Sequence, residues 1–173
     1  KMFRVRLGQS FQRGLRRALQ NTFRRYKSSG IQYQNPQWQQ TMLRIRNPSK
    51  TIPFYENNFD MKLIHEYHFP DMAFSLYFLG TPMPGIFYPK PGTKQSEKLL
   101  WNYPGVTLEF THNHSDNEKN TVINNGNVEP NRGFGHIAFN HDDVYKSYDN
   151  LIEKGVTFQK SPTEGRMKGL SFA

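Results

Sequence analysis

Three residues of types that bind divalent metal ions lie far apart in the sequence: Gln40, Glu109 and His136. Each lies in a stretch whose composition predicts a β-strand. The chain has no cysteine, so a metal ion would be held by oxygen and nitrogen ligands alone, which suits Zn²⁺ or Ni²⁺. Taken singly, the three residues also have ordinary structural interpretations: a surface amide, a charge on an edge strand and a hydrogen-bonded core histidine.

The two predicted strands that carry Gln40 and Glu109 have polar residues on one face. Side chains alternate along a strand, so Arg44 shares the face of Gln40, and Asn113 shares the face of Glu109. The opposite faces of these strands carry Leu43 and Ile45 on the first and Leu108 and Phe110 on the second. This pattern predicts a sheet that buries one face and lines a polar cleft with the other.

The predicted elements form two similar units. The first has the order strand, helix, strand, strand, strand, at 38–46, 47–59, 61–69, 72–80 and 105–113. Residues 81–104 contain five prolines and are predicted to be an irregular insertion. The second unit has the order strand, helix, strand, strand, at 133–140, 141–155, 156–160 and 169–173. Superimposing the units pairs Gln40 with His136 and predicts a further ligand on a strand beyond Ala173.

The basic character of the chain is confined to its beginning. The formal net charge is +9, but nine of the 23 Lys and Arg residues lie within residues 1–40, which contain no Asp or Glu. The rest of the chain therefore has as many basic residues as its 14 acidic ones, which argues against a nucleic-acid-binding protein. No apolar run approaches the length of a membrane-spanning helix.

Residues 1–37 form a basic leader with the pattern of a mitochondrial transit peptide. Arginines surround apolar residues that recur on one face of a predicted helix, namely Phe11, Leu15, Leu19, Phe23 and Tyr26. We therefore expect the protein to be imported into the mitochondrial matrix. The alternatives are a cytoplasmic protein with a disordered basic tail or a nucleic-acid-binding arm.

The body of the chain resembles the eukaryotic glyoxalase I family, the lactoylglutathione lyases of the vicinal-oxygen-chelate superfamily. The similarity covers nearly all of residues 39–172 in the order and spacing of that family. It is carried by the segments QQTMLRIRNPSKTIPFYENNFDMKLI, FPDMAFSLYFLG, TLEFTHNH, NGNVEPNRGFGHIAFNHDDVY and GVTFQKSPTEGRMKGLSF. The resemblance implies an α+β fold of paired βαβββ modules, with the last strand of the second module missing from this sequence.

On this basis we expect four regions: the leader 1–37, a first module 38–114 that includes the insertion 81–104, a linker 115–131 and a truncated second module 132–173. The family pattern continues past Ala173 into a last strand. That strand bears a glutamate that binds the metal and exchanges the substrate proton.

The resemblance implies that the protein isomerises the hemithioacetal of methylglyoxal and glutathione to S-lactoylglutathione. It makes Gln40, Glu109 and His136 ligands of Zn²⁺, Ni²⁺ or another divalent metal, with glutathione as co-substrate. It also makes Glu109 catalytic, beside the principal glutamate base expected beyond Ala173. The implied contacts to the glutathione part of the substrate are Arg44, Asn113, Arg132, Arg166 and Met167.

The resemblance also implies a homodimer, because related members build each site from the first module of one subunit and the second module of the other. No nucleic acid or membrane is expected as a partner. The alternative function is a catalytically inactive truncated isoform or a glutathione-conjugate-binding protein of the same fold.

Overall fold

The computed structural model describes residues 36–166 and 168–171. The interpretation of the leader as a targeting sequence falls almost wholly outside the described residues, as does Met167. In the part that is described, no helix has both the length and the apolar character needed to cross a membrane.

One four-stranded sheet organises the described chain. Its strands are β1 (Gln40–Arg44), β2 (Lys62–Phe69), β3 (Phe74–Gly80) and β4 (Thr107–Asn113). The order across the sheet is β1-β4-β3-β2, with β1 parallel to β4 and the other pairs antiparallel. All four predicted strands of the first unit are thus confirmed, with shorter bounds, and β4 lies in the interior of the sheet.

Helix α1 (Pro48–Phe59) connects β1 to β2 and covers one face of the sheet. Pro48 lies in the first turn, where its missing N–H is not needed, and the helix ends at Asp60 in the left-handed conformation. Tyr55 of α1 contacts Phe110 of β4, with ring centroids 5.0 Å apart. The buried residues on this face form the main core: Ile45, Met61, Leu79, Leu108 and Phe110. Burial of each large apolar side chain there contributes about 1.5–3 kcal/mol.

The prediction that the insertion 81–104 is irregular is wrong in part. The insertion contains helix α2 (Lys94–Trp101). Thr93 and Ser96 begin the helix with reciprocal hydrogen bonds: the Ser96 N–H donates to the Thr93 hydroxyl at 3.2 Å, and the Thr93 N–H donates to the Ser96 hydroxyl at 3.1 Å. This short helix was not predicted, because the prolines of the insertion favoured irregular structure. A second core lies between α2 and the sheet: Ile64, Phe78, Leu100 and Tyr103. Because Phe78 and Leu79 are consecutive in β3, the two cores lie on opposite faces of the sheet.

The helix predicted for the second unit is present as α3 (Val144–Glu153). Asp143 caps it, since its Oδ1 accepts hydrogen bonds from the N–H groups of Tyr145 and Lys146, both at 3.0 Å. After the helix the chain turns back, and Phe158 packs on Tyr148 with ring centroids 4.6 Å apart. The α+β fold class is therefore confirmed.

The prediction of strands at 133–140 and 156–160 is wrong for the described structure, because neither segment joins the sheet. Residues 169–171 are not in a strand either. In the first unit, β1 is held by pairing with β4. No described residue of the second unit supplies a counterpart of β4, so the segment 133–140 lacks the neighbour with which a strand would pair.

Candidate functional site

The pairing of β1 with β4 brings Gln40 and Glu109 together, although they are 69 positions apart in the sequence. In this register Gln40 lies opposite Thr107, and Met42 lies opposite Glu109. Gln40 and Glu109 are therefore diagonal neighbours on one face of the sheet. The Gln40 Nε2 amide donates a short hydrogen bond to Glu109 Oε2.

Glu109 is buried because β4 has a neighbouring strand on each side, and only 7% of the residue is exposed. Burial raises the pKa of its carboxyl, since desolvation disfavours the charged form. Hydrogen bonds from the Thr111 hydroxyl, at 3.4 Å, and from the Gln40 amide oppose that rise in pKa. The interior position of β4 excludes the ordinary interpretation of Glu109 as a charge on an edge strand.

The side-chain oxygen of Gln40 has no hydrogen-bond partner. Because Nε2 points to Glu109, Oε1 is left buried and unpaired among the described residues. A buried acceptor in this state costs about 1–3 kcal/mol. The amide oxygen and the adjacent carboxylate together form a pair of oxygen donors suited to a divalent cation. Gln40 and Glu109 therefore fit two positions of a metal site.

Arg44 and Asn113 meet at the other end of the same face. Arg44 Nη1 donates to Asn113 Oδ1 at 3.4 Å, and Asn113 Nδ2 donates to Asp116 Oδ2 at 2.8 Å. Arg44 is exposed, whereas Asn113 is half-buried. An exposed guanidinium near a buried carboxylate provides a cationic entrance, and its planar fork matches a carboxylate ligand.

The other predicted site residues are not assembled with this face. His136, Arg132 and Arg166 are all exposed, and Arg132 Nε lies 2.7 Å from Glu129 Oε1. Within residues 36–166 and 168–171, no three His, Asp or Glu side chains are grouped closely enough to hold a metal ion. This result does not bear on the predicted set, which includes the amide of Gln40; the position of His136 relative to the Gln40–Glu109 pair follows from the packing of its segment.

The segment that carries His136 packs against the face opposite to Glu109. Phe139 of this segment stacks on Phe59 of α1, with ring centroids 4.4 Å apart. Both residues pack against the main core that contains Phe110, and the Phe110 side chain points away from the Glu109 face of β4. The sheet therefore lies between this segment and the Gln40–Glu109 pair.

A buried polar cluster beside the site was not predicted from the sequence. His65 Nδ1 lies 2.7 Å from the Ser96 hydroxyl, and its Nε2 is buried without a partner among the described residues. Burial lowers the pKa of His65, and the charges of Glu97 and Glu66 partly oppose this effect. No pattern in the sequence indicated the cluster, because Ser96 belongs to a helix that was not predicted within the proline-rich insertion.

His65 also shares a transverse row of the sheet with Glu109. His65 lies opposite Phe78, and Phe78 lies opposite Glu109. Two strand spacings place the His65 and Glu109 backbones about 10 Å apart. The second core therefore closes one side of the face that carries the Gln40–Glu109 pair.

Comparison with known proteins identifies the family of this chain. The family model of the Glyoxalase/Bleomycin resistance protein/Dioxygenase superfamily matches residues 37–173. The chain belongs to this superfamily. A lactoylglutathione lyase of Pseudomonas putida is 35% identical over 133 residues, which cover 76% of this chain and 75% of that protein.

Two further proteins extend the comparison. Glyoxalase I of Saccharomyces cerevisiae is 44% identical over 135 residues, which cover 77% of this chain but 40% of the yeast protein. The chain thus spans about two fifths of the length of that relative. The solved glyoxalase I of Leishmania major has a TM-score of 0.53 and 20% identity, covering 76% of this chain and 73% of that one. This structural similarity supports the fold.

Proposed function

We propose that the protein is a metal-dependent lactoylglutathione lyase that isomerises the hemithioacetal of methylglyoxal and glutathione to S-lactoylglutathione. The observation that carries this proposal is the buried Gln40–Glu109 pair, whose amide oxygen is left without a partner. The names of the relatives from Pseudomonas putida and Saccharomyces cerevisiae support the same reaction.

In this proposal Gln40 Oε1 and the Glu109 carboxylate hold Zn²⁺, Ni²⁺ or another divalent metal, together with His136. When bound, the metal supplies Lewis-acid polarisation of the substrate oxygens, which acidifies the neighbouring C–H bond. The hydrogen bond from Nε2 to Glu109 supports the assignment, because it holds the amide with its oxygen free.

Glu109 is one of the carboxylates that move the proton between the two adjacent carbons of the substrate. Its carboxylate accepts the proton from the first carbon, and the resulting carboxylic acid returns it to the second. A positioned base of this kind contributes about 10²- to 10⁴-fold to the rate.

Arg44 binds a carboxylate of the glutathione part of the substrate. The guanidinium is exposed at the open end of the site, and Asn113 supports it through the 3.4 Å hydrogen bond. Arg132, Arg166 and Met167 provide further contacts to glutathione in this proposal. To bind the substrate, Arg132 would break its exposed ion pair with Glu129. Breaking this pair costs little free energy, because exposed ion pairs contribute about 0–1 kcal/mol.

The site is shared between two copies of the chain in a homodimer. Support comes from the packing of the His136 segment, which lies on the face of its own sheet opposite to Glu109. A ligand from a second copy can approach the exposed end of the Glu109 face without crossing the sheet. In this arrangement each site contains residues from the first unit of one subunit and from the second unit of the other.

Mixing two inactive variants tests the shared site. Gln40→Met and His136→Ala each damage one half of it, so a mixed dimer contains one intact site and one doubly damaged site. After unfolding and refolding of an equimolar mixture, random pairing restores about a quarter of the sites. Either variant refolded alone is the control, and a mixture no more active than the controls contradicts the shared site.

The reaction itself is tested with purified, metal-loaded protein and the preformed hemithioacetal. Formation of the S-lactoylglutathione thioester is the expected result. Binding of S-alkyl glutathione without turnover would instead support the glutathione-conjugate-binding alternative. The same preparations treated with a chelator provide the background rate.

The proposed location is the mitochondrial matrix, supported by the acid-free basic leader. Fusing residues 1–37 to a fluorescent reporter tests it. Import and removal of the leader are expected. A matched fusion in which Leu15 and Leu19 are changed to Glu loses the apolar face and should remain in the cytoplasm. Cytoplasmic location of both fusions contradicts the proposal.

A further inference from the structure

One asparagine of the chain is followed by glycine, Asn125–Gly126. In such a pair the backbone nitrogen of the glycine can attack the side-chain carbonyl carbon of the asparagine. A five-membered succinimide forms and ammonia leaves. One water molecule then opens the ring at either carbonyl, which yields aspartate or isoaspartate without any change of oxidation state. A following glycine favours the first step, because it has no side chain to shield its nitrogen.

The local geometry favours the first step at Asn125. The Asn127 N–H donates to Asn125 Oδ1 at 3.0 Å, which folds the asparagine side chain back over its own backbone. The same donor stabilises the negative charge that develops on Oδ1 during the attack, as in an oxyanion hole. Asn125 is exposed to water, and the Gly126 N–H makes no hydrogen bond in the described part of the chain. We propose that Asn125 is a site of spontaneous deamidation and isoaspartate formation.

The fold retains the reactive pair because Gly126 cannot be replaced. Gly126 has φ +82°, and a Cβ there would overlap the carbonyl of Phe134. Its own carbonyl accepts a hydrogen bond from the Gly133 N–H at 3.0 Å. The turn that brings residue 126 against residue 134 thus requires glycine, and this requirement keeps Asn125 next to an unhindered nitrogen.

Neighbouring asparagines provide internal comparisons. Asn127 is followed by the β-branched Val128, and its Nδ2 donates to the Gly135 carbonyl at 2.8 Å. Asn124 and Asn131 are also exposed but are followed by Asn125 and Arg132, whose side chains hinder the attack. Asn125 is therefore expected to react first.

Isoaspartate at this position changes the loop that leads to the second half of the site. It adds one carbon to the backbone immediately before Gly126 and introduces a negative charge. The hydrogen bonds that close the loop, from Gly133 to Gly126 and from Asn127 to Gly135, then lose their register. Arg132 lies within this loop and His136 follows it. The expected loss of glutathione binding rests on the proposed function, whereas the modification itself does not.

The experiment is a time course of the purified, metal-loaded protein held at mildly alkaline pH and moderate temperature. Peptide mapping in heavy-oxygen water measures the aspartate formed at each asparagine, and an isoaspartyl methyltransferase counts the isoaspartate. Asn125 should react at least about tenfold faster than Asn124, Asn127 or Asn131, the factor that corresponds to a barrier about 1.4 kcal/mol lower. Equal rates at these residues, or an unmodified Asn125, would overturn the proposal.

Two variants connect the modification to its effect. Asn125→Gln should stay unmodified, because its longer side chain would have to form a less favourable six-membered ring. Asn124→Gln is the matched control and should form isoaspartate at the same rate as the unaltered protein. Both should begin with normal binding of an S-alkyl glutathione. The Asn125→Gln protein cannot form isoaspartate at position 125. Methyltransferase labelling of this variant as strong as that of the unaltered protein would therefore place the reaction at another residue and overturn the assignment. Loss of binding that follows isoaspartate content supports the effect on the loop, and its absence removes that effect while leaving the site of modification established.

Discussion

The hydrogen bond between Gln40 and Glu109 is expected to contribute a coupling energy of about 1.5–3 kcal/mol in the metal-free protein, the range for a bond to a charged partner. Glu109 is only 7% exposed, and its other donor, the Thr111 hydroxyl, is distant at 3.4 Å. The Glu109 carboxylate therefore depends on the Thr111 hydroxyl and on Gln40 Nε2 for compensation of its lost hydration.

A double-mutant cycle is needed because each single replacement has opposing effects. Gln40→Met removes the donor to Glu109 but also removes the unpaired Oε1. Glu109→Met removes a buried charge but leaves Nε2 of Gln40 without an acceptor. The double variant removes all of these polar groups, and we expect it to be at least as stable as the unaltered protein. Methionine has nearly the volume of either residue, so cavities contribute little.

The assay is urea unfolding at neutral pH in the presence of a chelator, followed by tryptophan fluorescence. Equal m-values across the four proteins are required before the free energies of unfolding are compared. The control cycle combines Glu109→Met with Met42→Leu, because Met42 lies opposite Glu109 in the register but cannot replace the amide donor. A coupling below about 0.5 kcal/mol for the Gln40–Glu109 pair, the usual limit of additivity, would refute the reasoning.

Three further predictions concern the entrance, the core and the cluster beside the site. Arg44→Ala should weaken binding of an S-alkyl glutathione by about 1.5–3 kcal/mol, measured by calorimetry, while Arg44→Lys recovers only part of the loss. Gly80→Ala should lower the free energy of unfolding by about 1–3 kcal/mol, because a Cβ there meets Ile64 and Tyr103 at 2.7 Å; an unchanged urea midpoint contradicts this packing. The pKa of His65 is lowered by burial, so the unfolded chain binds the proton more readily, and stability should fall as the pH drops below 6.5. His65→Gln should flatten that decline, and an equally steep decline in the variant would exclude His65 as its source.

The first unit could be predicted largely from the sequence because its elements are long and strongly patterned. The alternation in β4 identified Glu109 and Asn113 as one face, and the parallel register with β1 brought Gln40 to Glu109. The sequence alone could not show how deeply the side chains on that face are buried. Only the order of the strands shows that β4 is interior and that Glu109 is therefore buried.

The second unit was less predictable because a strand depends on its neighbour. The segment 133–140 alternates as a strand would, yet it has no partner in the described part of the chain and packs Phe139 on α1 instead. Helix α3 was predicted correctly, since a helix forms its hydrogen bonds within its own segment. Whether His136 acts as a metal ligand remains a prediction, as do the module boundaries and the targeting role of the leader.

The most direct test of the central proposal measures metal content and initial lyase rate on the same protein preparations. The unaltered protein, Gln40→Met and Arg44→Ala are compared after loading with Zn²⁺ and removal of the excess. We predict that Gln40→Met loses bound metal and rate together, whereas Arg44→Ala keeps its metal and loses rate only at low substrate concentration. Full metal content and full rate in Gln40→Met would contradict the assignment of the Gln40–Glu109 pair as part of the metal centre.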